Sequence, residues 1–450
     1  MALASPSKKA PTPKRIKRKG GSTVRHTRAI QRDRTKRPLA APLSGPVEQG
    51  LIEVIHPATL AQLDHFRQLG LRERVLTLPV MVALVVTMLW RQIPAGAELV
   101  RLLTTEGFLW CSPLPVSEQA LSQRLRVFPA VLFQRVLDAV LPVMFARAQE
   151  RQRPLPAPLA WARERYTAVV AADGSTLDAL VRKVGLLREL PKHPLAGRIL
   201  AVLDVVYQLP RQITYTPDAQ AHDHGFWPAI KSAVATGALL LLDAGFIDFA
   251  CYLQLTQAGV TFITRAKSNL GFQVVRTFTR TATLHDTLLW IGNGDERQQV
   301  RLIEVWARRT WYRYLTNELD PQRLPAQMVI ALYAHRWRIE DAFAAVKRLL
   351  GLAYFWVGSE NGVQLQVWAT WLLYAVLVDM TDAIAEVLQR PFADLSLEMT
   401  YRSVYYATQA YHRGEAPDPI AYLAANAQLL GILKRKRKKK SPLSEFFGPT

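Results

Sequence analysis

Tyr333, Arg336, Glu340 and Lys347 combine a phenol, two cations and a carboxylate within one short segment. On a helix turning about 100° per residue, they fall within an arc of about 60°. A carboxylate on such a face can hold a divalent metal ion, and Arg and Lys can hold phosphate oxygens. The same spacing also suits an amphipathic surface helix with intrahelical ion pairs. Two acidic positions elsewhere move the balance toward a metal and phosphate site. In Thr167–Thr176 a β-branched apolar run ends at Asp173, with Gly174 as the break, and in Ala238–Phe246 a leucine run ends at Asp243 before Gly245. Carboxylates where buried strands emerge can share a site, and Asp173, Asp243 and Glu340 could together cage two divalent ions. Each aspartate taken singly is equally a turn residue or a helix cap.

These residues resemble the DDE transposases of bacterial insertion sequences, in the insertion-sequence-4 family. Tyr333, Arg336, Glu340 and Lys347 match its Tyr-x2-Arg-x3-Glu-x6-Lys pattern position by position, and Trp337, Ile339, Phe343 and Thr316-Asn317 are also similar. So are the Asp173-Gly174-Ser175 and Asp243-Ala244-Gly245-Phe246 turns and the segment 259–267, with Ser175 and Ala244 standing where Thr and Arg are commoner. The likeness runs from roughly residue 70 to 380.

The resemblance implies an RNase H-like fold and cut-and-paste transposition: binding of terminal repeats, metal-dependent strand cleavage, and strand transfer. It makes Asp173, Asp243 and Glu340 catalytic and ligands of two Mg²⁺ ions, with Mn²⁺ able to substitute. It makes Tyr333, Arg336, Lys347, Arg265, Lys267 and Trp311 contacts to DNA. The implied partner is double-stranded DNA, both terminal repeats and target, bound by a homodimer in the bacterial cytoplasm at the nucleoid, with no membrane. Two other readings stay open: a catalytically silent, repurposed DNA-binding protein, and a metal-dependent nuclease that cuts without joining.

Charge agrees with a polyanionic partner. The net charge is +21, and most of it lies in the tails: thirteen Lys or Arg against Asp33 within residues 1–40, and seven consecutive basic residues, Lys434 to Lys440. Basic arms bind phosphate backbones through counterion release without reading sequence. They could equally aid solubility or attract acidic lipid headgroups. With 50% hydrophobic residues, most of the 450-residue chain can fold into two or three domains. Cys111 and Cys251 sit far apart in apolar surroundings, which fits reduced thiols and excludes a cysteine zinc site. The apolar runs 76–90 and 367–380 fall short of the ~20 residues that span a bilayer, and read as buried core helices.

The elements that must position these residues can be laid out from composition and periodicity. The expected class is α/β, with a basic arm and linker over 1–55 and a helical, DNA-end-binding domain over 56–150. Within that domain Ser117–Arg126 reads as a capped helix, either a DNA reader or a plain bundle helix. A boundary follows at Gln152–Pro158, then a catalytic core over 160–380 that contains a β-rich insertion at 268–320. A C-terminal helical region over 381–433 and a basic tail over 434–450 complete the chain. The apolar stretch 367–388 is a candidate dimer contact. Trp311, in the insertion, could stack on an extruded base or simply pack against its strand neighbours. Asp178, Asp204 and Asp248 compete as acidic positions; Asp204 reads as a strand residue facing solvent and Asp248 as a helix cap. His222-Asp223-His224 reads as a polar loop.

Overall fold

The computed structural model describes residues 45–93, 96–177, 197–350 and 359–435. The basic arm, Asp178 and the tail beyond residue 435 lie outside the described residues.

The first folded segment is helical throughout: α1 (Pro46–Leu60), α2 (Leu63–Gln68), α3 (Leu78–Trp90), α4 (Gly96–Thr105), α5 (Glu118–Val127), α6 (Ala130–Glu150) and α7 (Ala157–Arg163). Helix α1 overturns the expectation of a linker reaching residue 55. Pro46 occupies the first helical turn, where its missing N–H costs nothing, and Val47, Leu51, Val54, Ile55 and Ala58 repeat at the spacing of one buried face. Ser117 caps α5 as expected, its side chain accepting from the Ala120 amide.

Then come β1 (Val169–Thr176), β2 (Arg198–Asp204), β3 (Pro210–Thr216), α8 (Trp227–Ala233), β4 (Leu239–Leu242), α9 (Phe249–Gln257) and β5 (Thr261–Arg265). Four more strands follow: β6 (Gln273–Arg280), β7 (Leu284–Ile291), β8 (Gln298–Ala307) and β9 (Thr310–Thr316). All nine form one mixed sheet in the order β3-β2-β1-β4-β5-β9-β8-β7-β6. Strands β1, β4 and β5 are parallel and β2 and β3 antiparallel, and β9 pairs antiparallel with β5. The β-rich segment is thus a continuation of the central sheet, not a separate layer. The parallel strands are buried on both faces, which is why β4 is four consecutive leucines.

One sheet face packs on the helical segment in a single apolar core that runs from Leu51 to Trp371. The other face packs on α8 and α9, through Trp227, Phe246, Tyr252 and Phe262. The last helices are α10 (Ala326–Ala334), α11 (Arg338–Ala344), α12 (Glu360–Val387), α13 (Leu397–His412) and α14 (Pro419–Ala425). Helix α12 has 28 residues and is long and apolar enough to cross a membrane, but 83% of its apolar window is buried inside the protein. It lies along α6, and Asp379 and Asp382 on α12 take ion pairs from Arg147, Arg151 and Arg153. Burial removes residues 367–388 as a broad dimer contact. The stretch is apolar all round because it is the centre of the fold, and Trp371, Leu372 and Leu373 are wholly enclosed.

Candidate functional site

Parallel pairing of β1 with β4 sets the first two carboxylates. Ala172 and Leu242 are partners, so Asp173 and Asp243, each one residue further on, stand side by side where the sheet opens. Adjacent strands lie about 4.8 Å apart, so neighbours in register are within reach of one ligand. Alternation puts both side chains on the face that carries Val169, Ala171, Leu239 and Leu241, the face packed by α10 and α11.

Two expected turns differ from one another. Asp243 does end its strand, with extended backbone, and leads into a 3₁₀ turn over Ala244–Phe246. Asp173 does not: β1 continues through Gly174 to Thr176, held by pairing with β2, where Asp173 opposes Ala201. Gly174 is needed for space. A Cβ there would lie 2.7 Å from Asp223 Oδ1 and 2.9 Å from Arg198 Nη2.

The third carboxylate arrives on a helix that is not uniform. A 3₁₀ turn over His335–Trp337 joins α10 to α11, and a π-helical turn over Ala345–Leu349 follows α11. Overwinding and then underwinding remove the even arc expected for a regular helix, and π-turns of this kind are frequent at functional sites. Three of the four residues nonetheless reach β1. Arg336 Nη1 donates to Asp173 Oδ2 at 2.8 Å and lies 3.9 Å from Glu340 Oε1, and Lys347 donates to Ser175 Oγ and, at 2.7 Å, to the Thr176 carbonyl. Tyr333 turns aside; its ring meets Tyr314 at 5.0 Å and lies under the Arg336 guanidinium.

Electrostatics here favour added positive charge. Burial pushes the Asp173 carboxyl up to about 7, with the neighbouring Glu340 carboxyl adding to the rise and Arg336 opposing it. Arg336 is raised as well, which keeps it charged: burial works against its charge, but Tyr333, Asp173 and Asp243 together outweigh it. Burial also raises the Tyr333 phenol, so the ring is a neutral donor. One buried arginine therefore serves a site of three carboxylates. The Tyr333 hydroxyl and Arg336 Nε are buried without a hydrogen-bond partner among the described residues. Two unused donors beside a carboxylate group suit a phosphate oxygen.

The carboxylates share Arg336 as a neighbour but do not close on one point. Among the described residues no group of three or more His, Cys, Asp or Glu side chains stands close enough to hold a metal ion. The cage expected from sequence is thus not assembled in this arrangement, in which Asp173 is ion-paired with Arg336. The donor set still fits a hard divalent cation: all oxygen, and short of positive charge.

The other expected contacts divide by sheet face. Arg265, at the end of β5, lies 5.4 Å from the Tyr312 ring and contributes to the field at Tyr333, so it belongs to the site face. Lys267 is exposed in the loop after β5. Trp311 is stacked on His285 with ring centroids 4.5 Å apart and pairs with Trp306. Alternation along β9 points it away from the face of Tyr312 and Tyr314.

Residues 193–376 match the family described as Transposase DDE domain. That match contains Asp243, Glu340 and the Tyr333–Lys347 segment, while Asp173 precedes it. The chain is also similar to putative transposase y4zB of Sinorhizobium fredii (strain NBRC 101917 / NGR234), 29% identical over 264 residues, which is 51% of this chain and 73% of the relative. The two likenesses support a DDE transposase, and the large mixed sheet flanked by helices fits such a domain.

Sequence reading missed one pair beside the site. Asp223 and Arg198 are ion-paired, and the Asp223 carboxylate also lies 2.7 Å from where a Cβ on Gly245 would be. The His222-Asp223-His224 segment is therefore not a plain polar loop. Asp223 wedges between the strand of Asp173 and the turn after Asp243, and His224 meets Asp248, 3.3 Å away. Asp248 caps α9 as expected. The only signal in the sequence was two glycines, each within two residues of a site aspartate.

Proposed function

We propose that the protein is a DNA transposase with an RNase H-like core that binds the terminal repeats of an insertion sequence and catalyses metal-dependent strand cleavage and strand transfer. One observation carries this reading. Asp173 and Asp243 stand in register at the open ends of adjacent parallel strands, and a helix inside the matched domain delivers Glu340 to Asp173.

Asp173, Asp243 and Glu340 are the residues that would hold two Mg²⁺ ions, with Mn²⁺ able to substitute. Bound there, the ions would activate the attacking hydroxyl and stabilise the leaving oxygen at a scissile phosphate. The chain's own groups do the rest. Arg336 orients Asp173 and Glu340, and its unused Nε can take a phosphate oxygen. Tyr333 offers its neutral hydroxyl as a donor. Lys347 ties the helix to the end of β1, so that Glu340 keeps its place over the strand. Arg265 and Lys267 extend cationic surface toward the flanking DNA, and Trp311 would contact DNA from the opposite face of the sheet. The basic tails add sequence-independent affinity. The active form would be a homodimer on DNA in the bacterial cytoplasm.

The Arg336–Asp173 ion pair is also what a catalytically silent DNA-binding descendant would keep. The deciding experiment is cleavage of a DNA fragment carrying the terminal repeats by purified protein with Mg²⁺, with Glu340→Gln as control. Cutting at the repeat ends that disappears in the variant, followed by joining to a target, is the expected result. Cutting without joining means a nuclease. Binding without cutting would overturn the enzymatic reading.

A further inference from the structure

The helix that carries Glu340 has a second charged face, turned away from β1. Arg338, Asp341 and Arg348 follow one another at steps of three and seven and line a cavity of about 420 Å³. Its far wall is the C-terminal helical unit, which contributes Glu398, Arg402 and Lys434. Glu398 and Arg402 satisfy each other at 2.7 Å. Arg338, Arg348, Lys434 and Asp341 make no ion pair with any described residue. Three cations thus face one open cavity, with Asp341 as the only carboxylate among the described lining residues that is not already held in an ion pair.

Arg338 is the most telling. Its only hydrogen bond runs from Nε to His335 Nδ1, at 3.3 Å, which leaves both terminal nitrogens of the fork without a partner among the described residues. His335 supplies no counter-charge, since an imidazole carries no negative charge in either of its ordinary forms. Structural arginines elsewhere in the protein are treated differently. Arg301 is fully buried and is met by Asp286 and by the Glu318 and Leu324 carbonyls, and Arg153 is met by Asp382 and the Val206 carbonyl. A guanidinium fork that no carboxylate engages, on the wall of a cavity, is a candidate for binding an anion.

We propose that this cavity is a phosphate-binding site, in which Arg338 presents its guanidinium fork and Arg348 and Lys434 complete the charge. A guanidinium fork fits two phosphate oxygens at once, and lysine adds a point charge. A phosphate held here would bridge the helix of Glu340 to the C-terminal helices. Its source is either a phosphodiester of bound DNA or a small phosphorylated solute. The site is independent of the carboxylate triad, and the experiment is arranged so that the two can fail separately.

The test uses full-length protein carrying Glu340→Gln, so that no cleavage intervenes. Thermal unfolding is compared in inorganic phosphate and in chloride at equal ionic strength. The expected result is a phosphate-specific rise in Tm that is lost in Arg338→Met and in the double variant Arg348→Gln/Lys434→Gln, and kept in Arg336→Gln. The double variant carries the test should Arg338→Met fail to fold. DNA affinity is then measured against salt. A slope of log affinity against log salt shallower by about one in the double variant assigns the site to a backbone phosphate. An unchanged slope, with the phosphate effect lost, assigns it to a small phosphorylated ligand. An equal phosphate effect in all variants overturns the proposal.

Discussion

Strands β1 and β2 each set an aspartate beside an arginine, and the two pairs serve different ends. Asp204, at the end of β2, is 1% exposed; it accepts from Arg211 at 2.8 Å and from the Val206 and Tyr207 amides. Every lone-pair direction is used, and the result is a closed anchor for the β2–β3 turn. It also corrects the expectation that Asp204 faces solvent: a strand-end aspartate can turn inward where the following amides fold back to meet it. Asp173 accepts from Arg336 at the same distance, but its second neighbour is a carboxylate, Glu340. A satisfied acid is structural, whereas an acid set against another acid has capacity for a cation or a proton.

The strongest break in this comparison is Asp173→Asn. Terminal-repeat cleavage should fall to background while DNA binding and folding persist, as checked by gel assay and circular dichroism. Cleavage that survives would remove Asp173 from the triad. Asp204→Ala should do the reverse and destabilise the protein by about 3 kcal/mol in urea unfolding, since it strands Arg211 and two amides. If stability is unchanged, the anchor is not one.

Gly174→Ala sharpens the comparison on β1 itself, one residue beyond Asp173. The added methyl meets Asp223 Oδ1 at 2.7 Å, and a cost of about 1–3 kcal/mol is expected. Combined with Asp223→Ala, the loss should be less than the sum of the single changes; simple additivity would show that the carboxylate does not limit the space.

The smallest effect is in pH. Asp173 titrates near 7 in the folded protein, above its unfolded value of about 3.9, so folding favours the protonated form. Its contribution to stability is fully present below about pH 4 and is lost as pH rises to about 7. In metal-free buffer, wild type should therefore lose Tm relative to Asp173→Asn across that interval. Mg²⁺ should raise the Tm of wild type more at pH 8 than at pH 5, because metal binding displaces the proton. Parallel curves for the two proteins would place the titration elsewhere.

Legibility followed how local the cause was. Asp248 caps α9 and Ser117 caps α5 as the sequence indicates, because a cap depends only on its own side chain and the amides just after it. The wedge of Asp223 was not readable. It depends on two glycines that come together only when β1 and β4 pair.

The sequence by itself determined which residues could do the chemistry. Asp173, Asp243 and the Tyr333–Lys347 spacing are local patterns, set by strand runs and helical periodicity. It also determined the basic tails, since charge count needs no fold. Only the tertiary structure decided what each carboxylate faces: Arg336 and Glu340 for Asp173, backbone amides and Arg211 for Asp204. Those partners are remote in the chain or turned inward by a fold-specific bend. A side chain's partners, and with them its pKa and its use, come from packing across the sheet, which no spacing along one segment encodes.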